Sequence, residues 1–422
     1  MTLGELTTHP NRGTTAGQQS GRSTMQVIFS VNGPGEISGW LYPLTNALRA
    51  RFPQIRIFVC LLPCVFSSGA EASVARQLET VDEVCTVRES FALILRGRLP
   101  SGLSRQRPTL VFHLGGEVAL TLLIAARLRA PVYGYADGRL PAMRRFRKVF
   151  FSGLTPLPAG LSDRAELLVG ELMVDAATLR RAGVTRPTDG RPRIGLFPGS
   201  REYMADFLLP YYAVTVDAVT ARHPDVDWLL ARADFVRMDF LRQLAPPPEP
   251  RHWPATTLRF GEAGNDAWLE TPAGTRIRIL PGREVLALAD LALTIPGTNT
   301  GEIAAGGTPM VVVLPTYRGD EVPLPGVAGH LGRLPLVGKA LKLAFGYRLL
   351  KSLPLLAQPN RRAGRMIVPE LVGTDLHPRI LAEIEKVLTT DTTALRETIK
   401  GAMGRPGAAD RITDEIGAFF GL

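Results

Sequence analysis

Short, almost fully apolar runs alternate with amphipathic stretches in the first half of the chain. Apolar runs predict buried strands, and apolar residues recurring every three to four positions predict helices. The predicted strands are Gln26–Val31, Ile55–Leu61, Thr109–Leu114, Val132–Tyr135 and Lys148–Ser152, with helices at about Ser38–Phe52 and at Val118–Leu128. This alternation is typical of a parallel sheet covered on both faces.

The same alternation restarts after a polar stretch at 181–191. It predicts strands Arg193–Phe197, Asp227–Ala231, Arg276–Leu280, Leu291–Ile295 and Met310–Leu314, and helices Met204–Arg222, Arg283–Ala289 and Gly301–Gly306. We therefore expect an α/β chain with two Rossmann-like, doubly wound domains, at 25–180 and 190–370.

Three further segments complete the predicted organisation. A turn at Pro272-Ala273-Gly274 predicts a hairpin between Trp268–Glu270 and Arg276–Arg278, which we interpret as an insertion rather than a catalytic element. Residues 371–422 predict amphipathic helices, which we expect to pack back on the N-terminal domain. Residues 1–24, rich in Thr, Gly and Gln, predict a disordered lead, and Met25 is a candidate start.

Composition limits the partners and the compartment. The formal net charge of +10 favours a polyanionic partner: nucleic acid, anionic lipid or a phosphorylated substrate. The three cysteines, Cys60, Cys64 and Cys85, are too few for a disulfide framework and lack the second ligand pair of a zinc site, so we expect a reducing compartment. No apolar run reaches the roughly 18 residues of a spanning helix, so any membrane contact is expected to be peripheral.

A glycine-rich segment, Asn32 to Gly39, follows the first predicted strand and opens a predicted helix. Glycines there allow a substrate to approach the backbone, and the start of a helix offers N–H donors to an anion. A second interpretation stays open, in which Gly35 and Gly39 form only a tight turn and Ser38 caps the helix.

Two similar strand-to-helix segments lie in the second half. Leu196 to Arg201 places an arginine beside a glycine turn, which suits a diphosphate leaving group. Ile295 to Glu302 adds hydroxyls, glycines and a carboxylate that could accept hydrogen bonds from a ribose diol. Alternatively, Glu302 is only an acidic residue of a first helical turn.

Four motifs in order across residues 33–371 resemble the lipid-A-disaccharide synthase family, glycosyltransferase family 19. Gly35 to Gly39 is similar to its GEASGD, Leu196 to Arg201 to its LPGSR, Gly282 to Glu302 to its GRE…SGTATLE block, and Asn360 to Leu371 to its NLLAGR…PEL. The chain is identified on these motifs as a divergent member.

The resemblance implies a GT-B fold, with the two domains facing a central cleft and a UDP-sugar donor bound mainly by the C-terminal domain. It implies inverting transfer of an acylated glucosamine to a glycolipid acceptor, without a cofactor or metal. The donor-binding residues it implies are Gly199, Ser200, Arg201, Arg283, Gly297, Thr298, Asn299, Thr300 and Glu302, and the acceptor-side residues are Gly35, Ser38 and Asn360.

Several positions depart from the family pattern. Trp40 stands where the first motif ends in aspartate, Met204 replaces a glutamate, Pro296 a serine and Glu171 a histidine. The strand end that resembles the family's IDAPDF segment reads Phe112 to Val118 and keeps only one carboxylate. That carboxylate, Glu117, is our first candidate for the catalytic base, followed by Glu36 and His113.

Residues 322–369 contain no Asp or Glu, and cations alternate there with large apolar residues. This pattern predicts a segment that faces an anionic membrane surface, through Arg333, Lys339, Lys342, Arg348 and Lys351. A buried helix with solvated lysine tips is the alternative. Nucleic acid is disfavoured as a partner because the chain has no helix-turn-helix, zinc-finger or RNP-like pattern.

Two rival functions stay open beside the transferase. One is a UDP-sugar 2-epimerase, which shares the GT-B scaffold but has no need of a lipid-facing segment. The other is a non-catalytic relative that binds lipid or nucleotide. For the transferase we expect a cytoplasmic protein, peripheral on the inner face of the membrane. A second copy of the chain, in a homodimer, stays open as a further partner.

Overall fold

The first sheet contains the five predicted strands and a short edge strand. The computed structural model describes residues 25–64, 67, 69–161, 163–247, 253–317 and 355–422. The strands are β1 Gln26–Val31, β2 Arg56–Leu61, β3 Glu83–Cys85, β4 Thr109–His113, β5 Val132–Ala136 and β6 Lys148–Phe151. All are parallel in the order β3-β2-β1-β4-β5-β6, the Rossmann order.

Helices cover both faces of this sheet, so its strands are buried on both sides and are apolar almost throughout. They are α1 Pro34–Glu36, a π turn Ile37–Leu41, α2 Tyr42–Arg51, α3 Glu71–Arg76, α4 Val87–Arg96, α5 Val118–Leu128 and α6 Leu172–Arg181, with 3₁₀ turns at Met143–Arg145 and Ala165–Leu167. Helix α6 packs on the π turn and α2, and also on helices of the second domain.

The second sheet has the order β14-β13-β12-β7-β8-β11-β10-β9. Its strands are β7 Arg193–Phe197, β8 Asp227–Arg232, β9 Arg259–Ala263, β10 Asp266–Glu270, β11 Arg276–Pro281, β12 Leu291–Thr294, β13 Met310–Pro315 and β14 Glu370–Gly373. The predicted hairpin is confirmed, because Trp268 on β10 pairs antiparallel with Arg278 on β11. Strand β11 also pairs parallel with β8, so the hairpin extends the main sheet.

Among the described residues of the second half, the helices are α7 Glu202–Thr220, α8 Met238–Arg242, α9 Gly282–Leu288, α10 Asn299–Ala305, α11 Gln358–Ala363, α12 His377–Thr389, α13 Thr393–Met403 and α14 Ala408–Phe420. Helix α12 packs on α7, and α13 packs on α10 and α11. Only α14 of these tail helices packs on α2 and α6, so the expectation that 371–422 returns to the first domain as a unit was too broad.

The predicted lead 1–24 lies outside the described residues, as do Arg333, Lys339, Lys342, Arg348 and Lys351. In the part of the chain that is described, no helix combines the length and apolarity needed to cross a membrane.

Candidate functional site

The loops that follow the strands of the two sheets face each other across a cleft. A Cβ atom placed on Gly35 of the first domain would lie 3.0 Å from the side chain of Thr298 in the second. One placed on Gly39 would lie 2.9 Å from Cγ of Met173 and 3.9 Å from Oε1 of Glu302. Gly35 therefore permits a close approach between the domains, and Gly39 permits a close approach between its helix and α6. A tight turn alone would require neither.

The glycine-rich segment is helical, and its helix begins four residues earlier than predicted. Pro34 occupies the first helical position, where its missing N–H costs nothing. Ser38 is therefore inside the helix rather than a cap, and its hydroxyl donates to the Pro34 carbonyl at 2.8 Å. The interpretation of Ser38 as an N-cap was wrong, because proline at position 34 starts the helix upstream.

Glu36 lies among the loops that follow β1 and β4 of the first sheet. A Cβ atom on Gly33 would lie 2.6 Å from its Oε2, and one on Gly115 would lie 2.9 Å from its Cγ. Burial raises the pKa of Glu36, Arg201 of the second domain opposes that rise, and Asp137 adds to it. The carboxylate thus interacts electrostatically with a cation of the second domain and with a second carboxylate of its own domain.

The other two candidate bases have different surroundings. Glu117 precedes α5 at the carboxyl edge of the sheet, as predicted, and its side chain is exposed. His113 is buried, its Nδ1 lies 2.8 Å from the Thr121 hydroxyl, and burial lowers its pKa to about 4. His113 is therefore a neutral group of the interface between β4 and α5.

Arg201 precedes the first turn of the long helix α7, where backbone N–H groups favour an anion. Gly199 has φ of +101°, and a Cβ atom there would lie 2.9 Å from Ile295 and 3.4 Å from Sδ of Met204. Met204 thus packs beneath the turn, where the family pattern has glutamate. Ser200 is half-buried at the same turn.

The loop after β12 uses most of its polar side chains to hold its own shape. Asn299 Nδ2 donates to the Thr294 hydroxyl at 2.6 Å. The Thr300 hydroxyl donates to the Gly297 carbonyl at 2.7 Å and accepts from the Gln358 N–H at 3.0 Å. Gly297 and Thr298 are exposed, as is Arg283 at the start of α9 on the same edge of the sheet.

Glu302, the predicted ribose ligand, pairs with Arg180 of α6. Arg180 Nη1 lies 2.5 Å from Glu302 Oε2, and the two side chains are only 15% and 12% exposed. The other nitrogen, Nη2, donates to the Ser38 carbonyl at 2.9 Å. One guanidinium therefore joins the first glycine-rich helix to the donor-side carboxylate, a bridge that the sequence analysis missed.

Asn360 does not offer a group to an acceptor in this structure. It is fully buried, its Nδ2 donates to Val368 and Glu370, and its Oδ1 accepts from the N–H groups of Ile367 and Val368. All its hydrogen-bonding capacity is used to hold the segment before β14. The predicted acceptor-side role is therefore corrected to a structural one.

Two departures from the family pattern, Trp40 and Glu171, are linked through Tyr135. The Trp40 and Tyr135 rings meet edge to face at 5.3 Å, and the Tyr135 hydroxyl lies 3.2 Å from Glu171 Oε1. Glu171 is buried, which raises its pKa, and it pairs at 2.5 Å with Arg362 of the second domain. Arg362 stands where the family motif has leucine. The carboxylate of Glu171, at the position of the family's histidine, is therefore accompanied by a cation at a position that is uncharged in the family motif.

Asp137 was not among the predicted site residues. It directly follows β5, and the carboxyl ends of parallel strands are where ligands collect, which is the reasoning that selected Glu117. Its Oδ1 accepts from the Ser152 hydroxyl at 2.7 Å.

Among the described residues, no group of three or more His, Cys, Asp or Glu side chains is placed to hold a metal ion.

Curated proteins named lipid-A-disaccharide synthase are similar to this chain at low identity. One from Anaeromyxobacter dehalogenans is 28% identical over 235 residues, which cover 54% of this chain and 49% of that protein. One from Syntrophotalea carbinolica is 24% identical over 413 residues, which cover 90% of this chain and 92% of that protein. The first of these matches thus spans about half of its relative's length. No family model matches the chain.

Solved structures agree on the fold. A protein from Listeria monocytogenes assigned as a UDP-N-acetylglucosamine 2-epimerase superposes with a TM-score of 0.51 at 12% identity, over 94% of this chain and 96% of that one. The Neisseria meningitidis UDP-GlcNAc 2-epimerase bound to UDP-GlcNAc gives 0.50 at 10% identity, over 93% and 99%. The predicted GT-B fold, two Rossmann-like domains facing a cleft, is confirmed.

Proposed function

We propose that this protein is a glycosyltransferase that moves an acylated glucosamine from a UDP-sugar to a glycolipid acceptor with inversion, as a lipid-A-disaccharide synthase does. The observation that carries the proposal is the place of Glu36 beside Gly35, the residue that closely approaches Thr298 of the second domain. Arg201 of that domain is near enough to lower the pKa of Glu36. The curated relatives support this class of reaction, and the UDP-GlcNAc bound to a protein of the same fold supports the donor class.

In the proposed reaction, Glu36 accepts the proton of an acceptor hydroxyl. The hydroxyl oxygen forms a bond to the anomeric carbon while the bond from that carbon to the diphosphate oxygen breaks, and UDP leaves. Arg201 and the first N–H groups of α7 stabilise the charge that develops on the diphosphate. A resident metal has no part in this scheme, so excess EDTA is expected to leave the rate unchanged.

The donor contacts follow the same edge of the second sheet. Gly199 and Ser200 lie at the turn before α7, and Gly297 and Thr298 are the exposed residues of the loop after β12. In this proposal Glu302 Oε1 accepts from the ribose diol, because Oε2 is paired with Arg180. The lipid-linked acceptor and the anionic membrane surface complete the proposal, on the charge pattern of 322–369.

Donor binding is tested first, without reference to turnover. UDP is expected to raise the melting temperature of the wild type, and Arg201→Ala is expected to abolish most of that rise. Arg222→Ala is the matched control, because Arg222 is an exposed arginine just past the other end of α7. An equal rise in Arg201→Ala and Arg222→Ala would remove the donor-site assignment.

The base is tested by UDP release in the presence of acceptor. Glu36→Gln is expected to lower turnover by about 10²–10⁴-fold with UDP binding retained, because the reaction loses its proton acceptor. Since the pKa of Glu36 is raised, kcat/KM is expected to fall on acidification at a higher pH than for an ordinary carboxylate. Glu117→Gln decides between the two residues. If turnover is lost in Glu117→Gln and kept in Glu36→Gln, Glu117 and not Glu36 is the catalytic base.

The epimerase is kept as a second candidate because the solved structures similar in fold include 2-epimerases. An epimerase would convert a UDP-sugar without acceptor, whereas a transferase releases UDP only when acceptor is present. UDP binding with neither reaction would indicate the non-catalytic relative.

A further inference from the structure

The π turn before α2 has a cause in the sequence. In a regular α-helix, the Gly39 carbonyl would accept from the N–H of residue 43, but that residue is proline and has none. Instead, the helical turn contains one extra residue, and the Tyr42 N–H donates to the Ile37 carbonyl, five residues earlier in the chain. Pro43 is buried at the start of α2.

This arrangement deprives the Ser38 carbonyl of both possible helical donors. Its α-helical partner, the Tyr42 N–H, is already used by Ile37, and its partner in a continued π-helix would be Pro43. A buried carbonyl without a partner costs free energy comparable to a lost hydrogen bond. Arg180 Nη2 supplies the missing donor, at 2.9 Å from the Ser38 carbonyl oxygen.

Arg180 is itself held from two sides. Its Nη1 pairs with Glu302 Oε2 at 2.5 Å, and its guanidinium carbon lies 5.3 Å from the centre of the Tyr42 ring. A buried cation needs such partners, since desolvation would otherwise penalise its charge. The orientation of Arg180 therefore depends on a carboxylate of the second domain, 122 residues away in sequence.

We propose that Arg180 is a positioning residue that couples Glu302 on the donor side to the π turn, and through the π turn fixes where Glu36 lies. If the π turn relaxed to a regular α-helix, the residues before it would rotate by about 100° relative to α2, because each residue advances about 100° around the axis of an α-helix. Glu36 immediately precedes the π turn, so such a rotation would carry its carboxylate away from Arg201.

The catalytic consequence rests on the function proposed above. Arg180→Met is expected to lower kcat by about 100-fold, since misplacement of a reacting group by about 1 Å costs that much. Arg180→Lys is expected to recover part of the loss, because lysine can satisfy one of the two acceptors. Arg181→Met is the matched control: Arg181 is the next residue of α6 and donates to the Leu286 and Ile303 carbonyls of the second domain only.

A double-mutant cycle separates positioning from general damage. Pro43→Ala restores an N–H to Gly39 and is expected to convert the turn to α-helix, with a loss of kcat similar to that in Arg180→Met. The two losses are expected not to multiply, since both act through the same turn. Losses that multiply, or an unchanged kcat in Pro43→Ala, would overturn the proposal.

Amide hydrogen exchange tests the coupling without any turnover. Without ligand, Arg180→Met is expected to speed exchange of residues 37–42 at least about tenfold more than Arg181→Met does. UDP is expected to slow exchange there in the wild type but not in Arg180→Met. If the wild type transfers no sugar and these exchange results hold, the proposed function fails and the coupling stands. If Arg180→Met and Arg181→Met exchange alike, the coupling is wrong whatever the activity.

Discussion

Glu36 carries a carboxylate in surroundings that favour its protonated form. Its pKa is raised above the ordinary value of 4.5, so the folded state binds the proton more tightly than the unfolded state. Ionised Glu36 therefore destabilises the fold, and this cost appears as the pH rises through the unfolded pKa and is complete above the folded one. Glu36→Gln is expected to raise the melting temperature at pH 7.

The same variant at pH 3 supplies the control. Both side chains are neutral there, so the melting temperatures of Glu36→Gln and wild type are expected to converge. If Glu36→Gln were equally stabilised at pH 7 and pH 3, the effect would come from a difference in packing between the two side chains and not from charge. A lower melting temperature at pH 7 would show that attraction to Arg201 exceeds the cost of burial.

Two helical glycines distinguish the effect of a close contact between helices from ordinary helix propensity. An added Cβ atom at Gly39 would lie 2.9 Å from Cγ of buried Met173, whereas one at Gly401 would meet no atom within 4 Å. Gly39→Ala is expected to destabilise the protein by about 1–3 kcal/mol through overpacking. Gly401→Ala, on the exposed face of α13, is expected to stabilise it by about 0.5 kcal/mol.

Urea unfolding midpoints of the two variants provide the measurement. Opposite shifts would show that the first glycine-rich helix needs glycine at position 39 for its close contact with α6. Shifts of the same sign would indicate that α6 can move away from the π turn at little cost, and that their close approach is not required for stability.

The whole chain has a net charge of +10, and its longest acid-free segment, 322–369, is dense in cations. We expect the protein to sediment with anionic vesicles and to be released by salt, because screening weakens attraction between exposed charges. Changing Lys339, Lys342, Arg348 and Lys351 to glutamine is expected to weaken binding by several kcal/mol, at about 1 kcal/mol for each cation near the surface.

Four exposed arginines of the first domain, Arg76, Arg88, Arg96 and Arg98, provide a control with the same change of charge. Equal weakening in both quadruple variants would indicate that net charge, rather than the segment 322–369, attracts the vesicles. Binding that resists salt in both would speak for a different mode of attachment.

The sequence by itself determined the central strands of both sheets, but not β3, β9 or β14. Gln26–Val31, Arg193–Phe197 and Val118–Leu128 were predicted with the observed bounds, because strands buried on both faces are continuous apolar runs and the helix is locally periodic. It also identified the loops that meet at the cleft, since parallel strands deliver their carboxyl ends to one edge. Local patterns suffice for such features.

Tertiary structure alone decided what those loops contact. Glu302 pairs with Arg180 across 122 residues, and Glu171 with Arg362 across 191. No local periodicity encodes such partners. The burial of Asn360 likewise depends on the packing of the segment before β14. The influence of Arg201 on Glu36 depends on how the two domains approach. A side chain's chemistry is read from the sequence, but its surroundings, and therefore its pKa and its role, follow from the packing of distant segments.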